Sequence, residues 1–249
     1  MKNFIDELIY HNRNMKPVTK IILIIIGIAM AVSIFHSRAF GLNLFIYIAI
    51  VIFSISFHEF AHGAVAYLIG DNTAKSRGRL SFNPLRHIDP IGLLFPVIMA
   101  IMNSPIIIGW AKPVPVDYSK LKYGRMGEFL VAISGVTANM ILVIISLILM
   151  VAADKTGLYN STFLYIIART YRLNLLLIIL NLLPIPPLDG SKILAAIGPQ
   201  PLREIIFYLE RYGVFIIIAL AWTGLLNNFL NTALRYVSYF IYNLVVHFI

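Results

Sequence analysis

Two histidines four residues apart enclose a glutamate in His58-Glu59-Phe60-Ala61-His62, inside an apolar run from about residue 43 to 70. Helical spacing of four puts both imidazoles on one face, about 6 Å apart, which suits two ligands of one zinc ion. Glu59 lies about 100° round the helix from His58, beside such a metal and able to take a proton from its bound water. The bland alternative is a helix with two hydrogen-bonded histidines and a snorkelling glutamate. It is the weaker reading here, because a Glu and two His near the middle of a hydrophobic span cost on the order of several kcal/mol unless they pair or bind something. The sequence has no cysteine, so any metal must be held through His, Asp or Glu.

A catalytic zinc needs a third protein ligand and an open position for water. Asp189 is the candidate, in Asn181-Leu182-Leu183-Pro184-Ile185-Pro186-Pro187-Leu188-Asp189-Gly190, where prolines break a helix at the end of an apolar segment that begins near Leu173. Read alone, Asp189 serves equally well as the cap of a following helix from Ser191 to Ile197. Asn139 is a further candidate, an amide in the apolar helix that carries Gly135-Val136-Thr137-Ala138-Asn139. It could donate to the oxyanion of a tetrahedral intermediate or bond to a neighbouring helix, and the small residues Ser134, Gly135 and Ala138 permit close helix approach.

The elements that must position these groups belong in a bilayer. Of 249 residues 59% are hydrophobic and only 12% charged, against about a quarter charged in soluble domains. The net charge of +9 sits in short connections and forms no continuous basic face, which argues against nucleic acid as a partner. Apolar runs near the ~20 residues needed to span a membrane occur at about 18–36, 43–70, 128–152, 171–188, 209–226 and 229–249. The last two could instead be one span and an interfacial helix.

Positive charge sets the orientation. Lys2, Arg13, Lys16 and Lys20 precede the first run and only Arg38 closely follows it, so the amino terminus is predicted to be cytoplasmic. Lys75, Arg77, Arg79 and Arg86 follow the second run, and Lys112, Lys120, Lys122 and Arg125 precede the third, which places both stretches on the same side. The intervening run, 91–110, therefore enters and returns as a re-entrant hairpin, with Asn103-Ser104-Pro105 as its turn and possible short β-strands beside it. With that hairpin not crossing, Asp189 arrives at the same depth as His58 and His62. Were it a true span, Asp189 would emerge about 30 Å away.

The His58 to His62 helix and Pro186-Pro187-Leu188-Asp189-Gly190 together resemble the site-2 protease family of intramembrane zinc metalloproteases. The stretches Ser81 to Pro90 and Gly109 to Val116 further resemble its compact bacterial and archaeal branch, so the likeness runs from about residue 45 to 200. The resemblance implies a zinc endopeptidase with one Zn²⁺ per chain, held by His58, His62 and Asp189, with Glu59 as general base and Asn139 as an auxiliary active-site residue. Its substrates would be transmembrane proteins of the lipid bilayer, cut in or near their spans. The sequence departs at Val136, where the family's Gly-x-x-x-Asn stretch usually carries proline.

The expected architecture is an all-α polytopic membrane protein of about six transmembrane helices, multi-pass in the cytoplasmic membrane. Residues 1–249 read as one integral domain, with a catalytic core over 43–200 and C-terminal helices over 201–249. An unwound substrate could be held by β-augmentation along Arg79 to Phe82 or Val114 to Asp117. The competing readings are a metal transporter and a non-catalytic scaffold that binds membrane proteins. Transport accords less well, since a broken segment appears only around Pro184 to Gly190 and not as a paired repeat. His11, His36, His87 and His247 stand near predicted interfaces and read as solvated.

Overall fold

The computed structural model describes residues 21, 24, 42–83, 86–87, 112–158 and 160–248. The chain divides into two compact units. One comprises Met1–Leu44 and Ile88–Lys112, and of it the described residues are Ile21, Ile24, the first turn of a helix over 42–44, and Lys112. The other, Phe45–His87 with Pro113–Ile249, contains every candidate site residue. Apart from Ile21 and Ile24, the first apolar run lies outside the described residues, as does the hairpin expected at 91–110.

Helix α1, Leu42–Leu68, carries the His-Glu-x-x-His residues and ends at Gly70, whose φ of +114° is open to glycine and strained for other residues. After the single turn of α2, Thr73–Ser76, the next described helical elements are a 3-10 turn at Tyr118–Lys120 and α3, which runs unbroken over Arg125–Thr156. Glu128 in its first turn complements the helix dipole, and Gly157 closes it in the left-handed conformation with its N–H donating to Ala153 O. Helix α4, Ser161–Asn181, begins where the Asn160 side chain accepts the N–H of Phe163. It stops short of Pro184, and the chain turns through Pro186-Pro187 into α5, Asp189–Ile197. Helices α6, Gln200–Glu210, α7, Gly213–Trp222, and α8, Leu225–Phe248, complete the described order.

Apolar side chains of α3 and α4 interlock at Val136, Val143, Leu175 and Ile178, and Leu234 of α8 joins them. Val136 is thus a core residue of a continuous helix. Asn174 of α4 donates to Ser54 Oγ of α1 at 3.0 Å, a buried polar bond that fixes the two helices in register. Among the described residues three helical segments are long and apolar enough to cross a membrane, Phe45–Leu68, Arg125–Thr156 and Ser161–Asn181. The pair α6 and α7 adds a fourth if taken together.

Two expectations change. The run at 209–226 is not one continuous helix: α7 covers Gly213–Trp222 of it and meets α6 at a 75° bend. Gly213 at the bend packs directly on the backbone of Pro186, just after the charged pair Glu210-Arg211 that ends α6. No strand forms among the described residues: Arg79 to Phe82 and Val114 to Asp117 are loop. Of the second segment's amides, two are donated to carboxylates and Pro115 has none, which leaves little edge to pair.

The N-terminus of α3 is tied to the helices after it. Arg203 of α6 meets Glu128 bidentately at 2.6 and 2.9 Å, and Arg125 donates to the Ala195 and Gly198 carbonyls at the end of α5. The paired side chains are only 18% and 15% exposed. Removing one partner strands the other charge, which costs about 3–5 kcal/mol in full burial. Glu128→Ala is therefore expected to destabilise the protein by roughly 2–3 kcal/mol and to lower its thermal midpoint in detergent by roughly 5–10 °C. An unchanged midpoint would show that the clamp contributes nothing.

Candidate metal centre

His58 and His62 point from α1 towards the first residue of α5. Asp189 Oδ2 lies 3.1 Å from His58 Nε2 and 3.1 Å from His62 Nε2, and the two Nε2 atoms are 3.1 Å apart. All three residues are buried, at 7%, 8% and 4% exposure. The capping role open to Asp189 is not the one it takes: no side chain caps α5, and this carboxylate turns to the histidines. Gly190 lets the chain lie directly on the Leu182 and Leu183 backbone, which a Cβ would obstruct, and this seats Asp189 beneath α1.

The protonation of this triangle follows from its second partners. His62 Nδ1 lies 2.7 Å from the Val131 carbonyl, a pure acceptor, so Nδ1 carries the proton. A neutral His62 then aims a bare Nε2 lone pair at Asp189 Oδ2, and two acceptors at 3.1 Å repel unless a second proton or a cation lies between them. Asn139, fully buried, faces His58 Nδ1 at 3.2 Å through its amide nitrogen while its Oδ1 has no partner among the described residues. Turning that amide by half a rotation lets Oδ1 accept His58 Nδ1–H and likewise frees His58 Nε2 as a ligand.

The space fits an ion as well as the donors do. Two ligands of a tetrahedral zinc at 2.0–2.1 Å stand about 3.3 Å apart, close to each edge of this triangle. Gly135 of α3 supplies the remaining wall: a Cβ there would lie 2.7 Å from His58 Nε2, and closer still to His62 Nε2, inside the space an ion would use. These three residues offer one ligand atom each, all within 4.8 Å of one another. Glu59, half-buried, lies on the adjoining face of α1, where its Oε2 accepts the Val114 N–H at 2.7 Å. Lys192 Nζ stands 3.8 Å from the other Asp189 oxygen, Oδ1.

The chain is 37% identical over 197 residues to the Bacillus subtilis protein named "Putative zinc metalloprotease YwhC", a match covering 75% of this chain and 84% of that one. It belongs to the site-2 protease family of zinc metalloproteases. A second member, "Putative zinc metalloprotease Rip2" of Mycolicibacterium smegmatis, is 29% identical over 177 residues, covering 70% of this chain and 66% of its own length. No family model matches the chain, and no solved structure matches it.

For a site-2 protease, the structure brings together all three ligand candidates together with Asn139. Sequence reasoning missed four contributors. The Val131 carbonyl and Val114 amide are backbone groups and leave no side-chain signature. Gly135 was legible only as a site of close helix approach, whereas it faces the ion space. Lys192 had a signal, since a lysine three residues after an aspartate on a helix shares its face. His87 is corrected: it is 2% exposed, and its Nε2 donates to Ser81 O at 2.7 Å, a loop-locking contact unlike the solvated role expected.

Proposed function

We propose that this chain is an intramembrane endopeptidase, with zinc held by His58, His62 and Asp189 and with Glu59 as general base. The observation that carries the reading is the triangle of three ligand atoms at 3.1 Å contributed by α1 and α5, with a carboxylate on the next residue of α1. Zinc in such a site lowers the pKa of a water and polarises the scissile carbonyl. Glu59 Oε1, the oxygen not engaged by Val114, takes the proton from the attacking water and returns it to the leaving amine. His62 keeps its ligand nitrogen bare by donating Nδ1–H to Val131 O, and Asn139, with its amide turned so that Oδ1 faces the ring, serves as the auxiliary residue that accepts His58 Nδ1–H to the same end. The oxyanion role open to Asn139 is less favoured, because its amide is turned to that ring.

The substrates are transmembrane proteins, since the ligand histidines stand within a helix apolar enough to cross the bilayer. The wider topology in this reading has about six spans, a re-entrant hairpin at 91–110 and a cytoplasmic amino terminus in the cytoplasmic membrane. Purified protein reconstituted with a single-span substrate tests it, with the cut mapped by mass spectrometry. A cut within the span or a few residues from its end is expected. Cleavage confined to soluble unfolded peptides would remove the intramembrane assignment.

A further inference from the structure

The loop from Pro113 to Asp117 has no regular structure, yet carboxylates hold it at both ends. Val114 N–H donates to Glu59 Oε2 at 2.7 Å, and Asp117 N–H donates to Asp71 Oδ2 at 2.7 Å. Asp71 is fully buried just beyond α1, and its other oxygen accepts the Thr73 N–H at 2.8 Å. Burial acts to raise its pKa, but the bonds from Thr73 and Asp117 outweigh that and hold the carboxyl below its usual range. Val114 is 8% exposed, with Cγ1 close against Gly63, one turn beyond Glu59 on α1. Proline on each side of Val114 restricts the backbone that presents this amide.

A glutamate has three side-chain torsions, and a base works only when its free oxygen is held within hydrogen-bond reach of the proton it takes. An amide fixed from outside the helix removes that freedom and assigns the two oxygens different tasks. We propose that Pro113–Asp117 is a positioning strap for Glu59, in which the Val114 amide sets the orientation of the carboxylate and Asp71 anchors the far end. Its catalytic consequence rests on Glu59 being the base, as above; the strap itself does not.

Hydrogen exchange on the full chain tests the strap without any turnover. The Val114 amide is expected to exchange slowly in wild type and at least about tenfold faster in Glu59→Ala, while Asp71→Ala releases the Asp117 amide instead. Val114 exchange that Glu59→Ala leaves unchanged would overturn the proposal. The consequence is read by comparing Val114→Pro, which lacks the donor, with Val114→Ala, which keeps it. The expected result is kcat about tenfold to a hundredfold lower in the proline variant, with KM, zinc content and thermal midpoint alike in the two. Equal kcat in both would refute the positioning role. A wild type that cleaves nothing counts against the protease reading alone, and the exchange result still decides the strap.

Discussion

Gly135→Ala is expected to weaken zinc binding by roughly a hundredfold and to lower proteolysis with it, although it adds a single methyl group. The new Cβ would stand 2.5 Å from His58 Cε1 and 2.7 Å from His58 Nε2, where ordinary contact begins at 3.4 Å. Both rings would have to retreat, yet ligand distances tolerate only about 0.2 Å. They have little room to do so, because His62 is bonded to Val131 and His58 lies against Asn139. Overpacking of this kind costs about 1–3 kcal/mol, so zinc affinity is expected to fall by roughly a hundredfold. Val136→Ala on the same helix provides the comparison: it opens a core cavity and lowers stability, but leaves zinc in place. Gly135→Ala protein that keeps wild-type zinc and cleavage would show that α3 does not wall the ion space.

Glu59→Gln is expected to separate metal from chemistry. Glutamine has nearly the same shape and its oxygen can still accept the Val114 N–H, so the fold and the three ligand atoms stay as they are. It cannot take a proton. Loss of a general base slows a reaction by about 10²–10⁴-fold, and cleavage should fall by about 10³-fold with zinc unchanged. Cleavage within tenfold of wild type would move the base role to another group.

The spacing of His58, Glu59 and His62 made one helix face legible, since an i, i+4 pair in an apolar run has few other uses. Asp189 was legible as a candidate ligand through the charge bias that brings it to the depth of the histidines, although its local pattern, a polar residue after prolines, is also what a helix start calls for. What separates the two roles is the meeting of α5 with α1, which no local pattern encodes. The break between α6 and α7 was only partly legible: Glu210 and Arg211 interrupt the apolar composition just before Gly213, but the packing of Gly213 on Pro186 joins segments far apart in sequence. Val114 to Asp117 carries strand-forming residues, but its amides are taken by Glu59 and Asp71 before a ladder can form.

Zinc-edge X-ray absorption on the purified wild-type protein, beside Asp189→Ala, tests the metal assignment most directly. One zinc per chain is predicted, with nitrogen and oxygen neighbours at about 2.0–2.1 Å, the outer-shell scattering of two imidazoles, and zinc lost or weakened in Asp189→Ala. A zinc shell without imidazole scattering, or one that Asp189→Ala leaves unchanged, would contradict it.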